Sequence, residues 1–200
     1  LSGKNIFDSI KISENSFHVL IEAVKQFIKN NEISKAAKLI EKSWFNFNCA
    51  EIIETFVKHG LKNNADSLKR HKLIVKVMKK HLNSSDEVRL SLAMSAFQAK
   101  IWGESQKYLD DIPRENWDER TKNLYEEICK KSEKLSMPND LNAVKASPEW
   151  YCISCKTRHK QWQFICDECK AVNSLKWPKT NNIPKRRSFL ENPFRHFPKM

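Results

Sequence analysis

Four cysteines fall within eighteen consecutive residues as two C-x-x-C pairs, Cys152 with Cys155 and Cys166 with Cys169, separated by a ten-residue spacer. Two residues between cysteines let a tight turn aim both sulfurs at one ion, and two such knuckles complete a tetrahedron. Zinc accepts that geometry because it has no d-electron preference, and iron is also compatible with a four-sulfur tetrahedron. With all four ligands supplied by sulfur, no coordination position is left for an activated water, so the expected site is structural rather than catalytic. His159, in the middle of the spacer, is poorly placed to replace a sulfur. Cys49 and Cys129 stand alone and read as packing residues on helices. A disulfide framework would spread its cysteines through the chain, whereas paired motifs in a helical protein read as metal ligands in a reducing, cytoplasmic setting.

Four thiolates on a divalent ion carry a net charge near ~−2, and Lys156, Arg158, Lys160 and Lys170 surround the motif to offset it. The same basic side chains, with a chain net charge of +12, also suit an anionic partner such as nucleic acid, lipid headgroups or an acidic protein surface. A lysine-rich codon bias explains the charge equally well. A ribbon of this size folds only around its metal. Trp150, Trp162 and Trp177 are more aromatic surface than it buries by itself, so docking onto the preceding helices is expected, most simply onto Leu124, Ile128 and Leu135.

The residues before the ribbon must supply that surface. Only 3 glycines occur in 200 residues, too few for the turns of a sheet-rich protein. Phe17, Leu20, Ile21, Val24, Phe27 and Ile28 form one apolar stripe at helical spacing, and Ile33, Ala36, Ala37, Ile40 and Trp44 form a second. Cys49–His59 reads as a third helix stopped by Gly60. A fourth runs from about Asp66 to Leu82. Ser84 with Glu87, and Asn116 with Glu119, have the spacing of capping boxes opening a fifth and a seventh helix. Trp102–Ile112 is a short sixth, ended by Pro113. No apolar run is long enough for a transmembrane helix.

These helices pair, and the pairs recur near Phe17, Cys49, Asp86 and Trp117 at intervals close to the ~34-residue tetratricopeptide period. Ala36, Ala93 and Trp102 mark the close contacts within pairs. Lys69 and Arg70 stand near where the middle repeat wants a small residue. The expected fold class is mainly α: a solenoid of antiparallel helical hairpins over residues 1–135, right-handed and free of sheet. An irregular helical bundle is the alternative. A linker over 136–148, a small β zinc ribbon of rubredoxin-like form over 149–178 and a basic, disordered tail over 179–200 follow.

Ser147-Pro-Glu-Trp-Tyr-Cys152, Trp162 ahead of the second knuckle and Asn173-Ser-Leu-Lys-Trp177 after it resemble the C-terminus of bacterial HemY-type proteins, and Ile101-Trp102-Gly103-Glu104 with Leu109 is similar to their last repeat. Repeats followed by a ribbon also resemble the architecture of LapB, an adaptor between proteins. Lys156 and Lys170 depart from the small residue that many ribbons carry after the second cysteine. The resemblance implies an inner-membrane protein with its repeats on the cytoplasmic side, anchored by a hydrophobic region expected before Leu1, and a link to late heme biosynthesis. It implies a non-enzymatic scaffold that binds a protein partner through its repeats. A nucleic-acid-binding module using the ribbon and basic tail is the alternative.

Overall fold

A computed structural model describes residues 16–132, 136–138 and 144–178. The expected tail over 179–200, Leu135 and part of the linker lie outside them.

Among the described residues seven α-helices follow one another: α1 Phe17–Lys29, α2 Ile33–Ser43, α3 Ala50–Lys58, α4 Asn64–Met78, α5 Asp86–Gln98, α6 Trp102–Asp110 and α7 Glu119–Lys131. The α1 stripe is buried over its whole length, from Phe17 to Ile28. Burying each such side chain stabilises the fold by roughly 1.5–3 kcal/mol. Ala36, Ala37 and Ile40 bury the facing side of α2.

Three of the turns between helices pass through a left-handed residue, and two of these do so without glycine. After α1, the Asn31 N–H bonds the Ile28 carbonyl and the Glu32 N–H bonds Phe27. After α5, Lys100 bonds Phe97 and Ile101 bonds Ala96 in the same pattern. Both are Schellman motifs, with Asn31 and Lys100 each at φ 61. Gly60 occupies the corresponding place after α3, at φ 60. The repeated turn is a backbone signature of recurrence between the first and third hairpins.

Neighbours in the chain pack on each other, and α1, α3, α5 and α7 also touch in succession, as do α2 and α4. The small residues sit at the close approaches: Ala36, Ala93 and Ser105 are all 0% exposed, and the Ser105 hydroxyl donates to the Ala93 carbonyl across the α5–α6 contact at 2.7 Å. Trp102 is half-buried, its ring 5.0 Å from that of Phe97. Ala93→Trp is expected to cost at least about 3 kcal/mol in urea denaturation, because an indole there must push α5 and α6 apart. Gly103→Ala, with nothing within 4 Å of the new Cβ, should instead leave stability equal or raised by about 0.5 kcal/mol.

Several expectations need correction. The fourth helix starts at Asn64, capped by the Asn63 side chain on the Asp66 N–H, and gives way at Met78 to a 3-10 turn over Lys79–His81. Neither capping box forms. The Ser84 hydroxyl donates to the His81 carbonyl, and Ser85 is the residue ahead of α5. Asp118, not Asn116, caps α7, accepting from the N–H groups of Arg120 and Thr121. Among the described residues of the helical span no strand forms, and Asp118 makes an isolated parallel bridge with Lys145 of the linker.

The ribbon is a three-stranded antiparallel sheet in the order β2-β1-β3, with β1 Trp150–Cys152 between β2 Arg158–His159 and β3 Leu175–Lys176. The spacer therefore does not close on itself as a hairpin. It sends one strand back to β1, and the chain after the second knuckle supplies the other. No helix among the described residues is long and apolar enough to cross a membrane.

Candidate metal centre

Each knuckle is the same backbone loop. The Lys156 N–H donates to the Cys152 carbonyl at 2.9 Å, and the Lys170 N–H to the Cys166 carbonyl at 2.9 Å. The Cys152 N–H in turn donates to the Thr157 carbonyl, and the Cys166 N–H to the Ala171 carbonyl. Both lysines are left-handed, at φ 65 and φ 58, the conformation glycine adopts without strain. Each lysine ammonium folds back onto a carbonyl of its own loop, Ile153 at 2.7 Å and Asp167 at 2.6 Å. The departure from a small residue thus leaves the knuckle turn intact, with each ammonium held on its own loop.

The two loops bring the four sulfurs within 4.8 Å of one another, with Cys152–Cys169 and Cys155–Cys166 both at 3.6 Å. These separations exceed a disulfide bond and lie close to the ~3.8 Å edge of a sulfur tetrahedron around zinc. The four cysteines are positioned to hold one metal ion. Around them, Ser174 Oγ lies 3.2 Å from Cys152 Sγ and Thr157 Oγ1 3.3 Å from Cys155 Sγ. Gln163 donates to Nδ1 of His159, which leaves the proton on Nε2, 3.5 Å from Cys166 Sγ. His159 therefore supports a ligand and is not one. These supporting contacts had no signature in the sequence.

The same surroundings prepare the thiols. Burial pushes Cys152 up, but the Ser174 hydroxyl and the N–H groups of Cys155 and Ser154 outweigh it and bring the thiol down to about 5. Cys155 is lowered, chiefly by the Thr157 side chain and N–H. For Cys169 the Ala171 N–H works downward, and burial with the neighbouring sulfurs prevails, raising it to about 12. Cys152 is thereby predisposed to be thiolate, and the charge of an ion is what would bring the Cys169 thiol down.

No family model matches this chain, and no curated protein or solved structure matches it either.

The ribbon is not docked where the sequence pointed. Ile128 is buried among α5, α6 and α7, and Leu124 packs against that same cluster. Trp150, 1% exposed, lies instead against Phe17 at the start of α1, ring centroids 4.6 Å apart. Trp162 lies 5.9 Å from Phe17 and stacks on His18 at 5.8 Å. Trp177 packs on Trp150 at 5.2 Å and receives the Arg120 guanidinium at 5.5 Å. Burial raises the Glu51 carboxyl at the start of α3, and the Trp150 side chain beside it works the other way. Ahead of the ribbon, Lys145 exchanges backbone bonds with Trp117 and Glu119, and Ser147 donates to the Glu119 carboxylate. Linker and ribbon thus run along the N-terminal ends of α7, α3 and α1, from the last helix back to the first.

A buried ionic knot lies along the same edge. The Glu87 carboxylate, 3% exposed, accepts from the Ala50 N–H at 2.8 Å and from both Nη atoms of Arg120 at 2.8 Å. Arg120 also bonds Asp118. Burial works to lower the Arg120 guanidinium, and Glu87 and Asp118 more than offset it, holding it above its ordinary value.

Ser95, His71 and Glu104 fall in a line that resembles a nucleophile relay: Ser95 Oγ is 3.0 Å from His71 Nδ1, and His71 Nε2 is 3.2 Å from Glu104 without hydrogen-bond alignment. Ser95 and His71 are each 1% exposed, so substrate has no approach, and the contact ties α4 to α5 and α6. Cys49 is buried, its thiol pushed up by burial and by Glu87.

Proposed function

We propose that this chain is a non-enzymatic adaptor: a tetratricopeptide-like stack of helical hairpins that presents a structural zinc ribbon to a protein partner. The observation that carries the reading is where apolar surface is left over. Five large apolar side chains stand exposed among the described residues, and four are on the ribbon: Ile153 at 46%, Phe164 at 50%, Ile165 at 49% and Val172 at 59%. Trp150 and Trp162 face the helices, so the ribbon is two-sided, with one face packed and one outward. An outward apolar face on a metal-braced loop pair fits protein contact better than solvent exposure. The succession of helix contacts and the repeated Schellman turns support the hairpin stack. The closed sulfur set supports a structural ion. The inner-membrane setting and the tie to late heme biosynthesis rest on the resemblance to HemY-type proteins alone.

The test pairs affinity capture with surface variants. Phe164→Ser combined with Val172→Ser should change stability by less than about 1 kcal/mol, since both side chains are half exposed or more. It should remove a protein that the wild-type chain retains. Retention of the same protein by the variant would count against the ribbon face. Recovery of nucleic acid, released steeply as salt rises, would favour the nucleic-acid-binding alternative.

A further inference from the structure

The end of the helical layer opposite the ribbon carries a second feature. A cleft of about 270 Å³ opens between the α1–α2 turn and the α3–α4 turn, walled by Lys29, Asn31, Lys62, Asp66, Lys69 and Arg70. Four of these are cations and one is a carboxylate. By contrast, the cleft of about 280 Å³ between the ribbon and the helix edge mixes Asp86, Glu87 and Asp118 with Arg89, Arg120 and Lys145, and so selects no sign of charge.

Arg70 gives the first cleft its character. It is 5% exposed, and its guanidinium donates to the carbonyls of Phe56, His59 and Gly60 at the end of α3. No carboxylate lies within ion-pair distance of it among the described residues, although Asp66 stands one turn earlier on α4. A buried cation is ordinarily paired with an anion. Here three carbonyl oxygens at the C-terminal end of α3 hold the group and offset part of its charge, and no carboxylate completes the pairing. Lys29, Lys62 and Lys69 are exposed at the rim, and none forms an ion pair among the described residues. The N-terminal ends of α2 and α4 meet the C-terminal ends of α1 and α3 here, so the helix dipoles offset one another and the side-chain cations set the sign of the charge.

We infer that this cleft binds a phosphate group, monoester or diester, carried either by a small soluble anion or by a lipid headgroup. Arg70 sets a fixed positive floor, and the three lysines close on the oxygens from the rim. The site is independent of the ribbon, which contacts the other ends of the helices.

The experiment uses the full chain with two probes: inorganic pyrophosphate followed by titration calorimetry, and phosphatidylcholine vesicles with and without phosphatidylglycerol followed by co-sedimentation, all at physiological salt. The cleft variant is Lys62→Glu with Lys69→Glu. The control is Lys122→Glu with Lys131→Glu on α7, of equal net charge. Binding of either probe, weakened roughly tenfold or more in the cleft variant and less than about twofold in the control, is the expected result. Binding of pyrophosphate identifies a soluble source, and binding of the phosphatidylglycerol vesicles alone identifies a headgroup. Failure of both probes to bind, or equal loss in the two variants, overturns the site.

Discussion

Cys155→Ser is expected to lower the melting midpoint of the whole chain by about 10 °C, and not merely to empty the ribbon. Loss of one sulfur leaves the ion three protein ligands, and a domain this small depends on its metal for folding. The ribbon contributes Trp150, Cys152, Cys166 and Leu175 to the same buried cluster as α1 to α5. Once it unfolds, Phe17, now 2% exposed, loses the rings of Trp150 and Trp162 and turns to water. Losing the burial of Phe17 and Trp150 costs on the order of 3–5 kcal/mol, which for a chain of this length corresponds to that shift. Helical circular dichroism during heating measures it, and stripping the wild-type protein with a chelator should reproduce it. A variant that loses its ion but melts with the wild type would show that the helices carry their core alone.

Glu87→Ala should cost about 3–5 kcal/mol in urea denaturation. The carboxylate joins three elements, accepting from the start of α3 at Ala50 while held by Arg120 of α7. Its removal leaves the Arg120 side chain, 24% exposed, with Asp118 as its remaining partner, and leaves the Ala50 N–H unpaired. Arg120→Met added to Glu87→Ala should restore some of the loss, with a coupling of about 1–3 kcal/mol, because the orphaned charge is then gone. A single-variant cost below about 1 kcal/mol would mean the knot is not closed in solution.

Local information carried the metal site. C-x-x-C is a turn-scale motif, so the four ligands and the need for a closed ion follow from spacing. The stripes of α1 and α2 were equally legible, because each helix buries the face its own periodicity marks. What failed was long-range. Glu87 sits three residues after Ser84, the spacing of a capping box, yet its carboxylate is recruited by Ala50 and Arg120, which no local pattern encodes. Asn116 and Asp118 are both good capping types, and only the backbone pairing of Trp117 and Glu119 with Lys145 decides for Asp118. The aromatic excess of the ribbon indicated that it docks. It gave no indication of which helix, because Leu124 and Ile128 are already occupied by α5 and α6, while Phe17 waits at the far end. Arg70 looked like an intrusion at a small-residue position. It is instead the buried group that caps α3, a role visible only when Phe56, His59 and Gly60 are seen around it.

Whether linker and ribbon are locked along the helix edge can be read after a single cut. A protease site inserted between Met137 and Val144 severs the chain while leaving Lys145 onward intact. After cleavage and size-exclusion chromatography under native conditions, the ribbon fragment should elute with the helices and carry one equivalent of metal, held by Phe17, Glu51, Glu119 and Arg120. A fragment that separates from the helices and keeps its ion would contradict that lock.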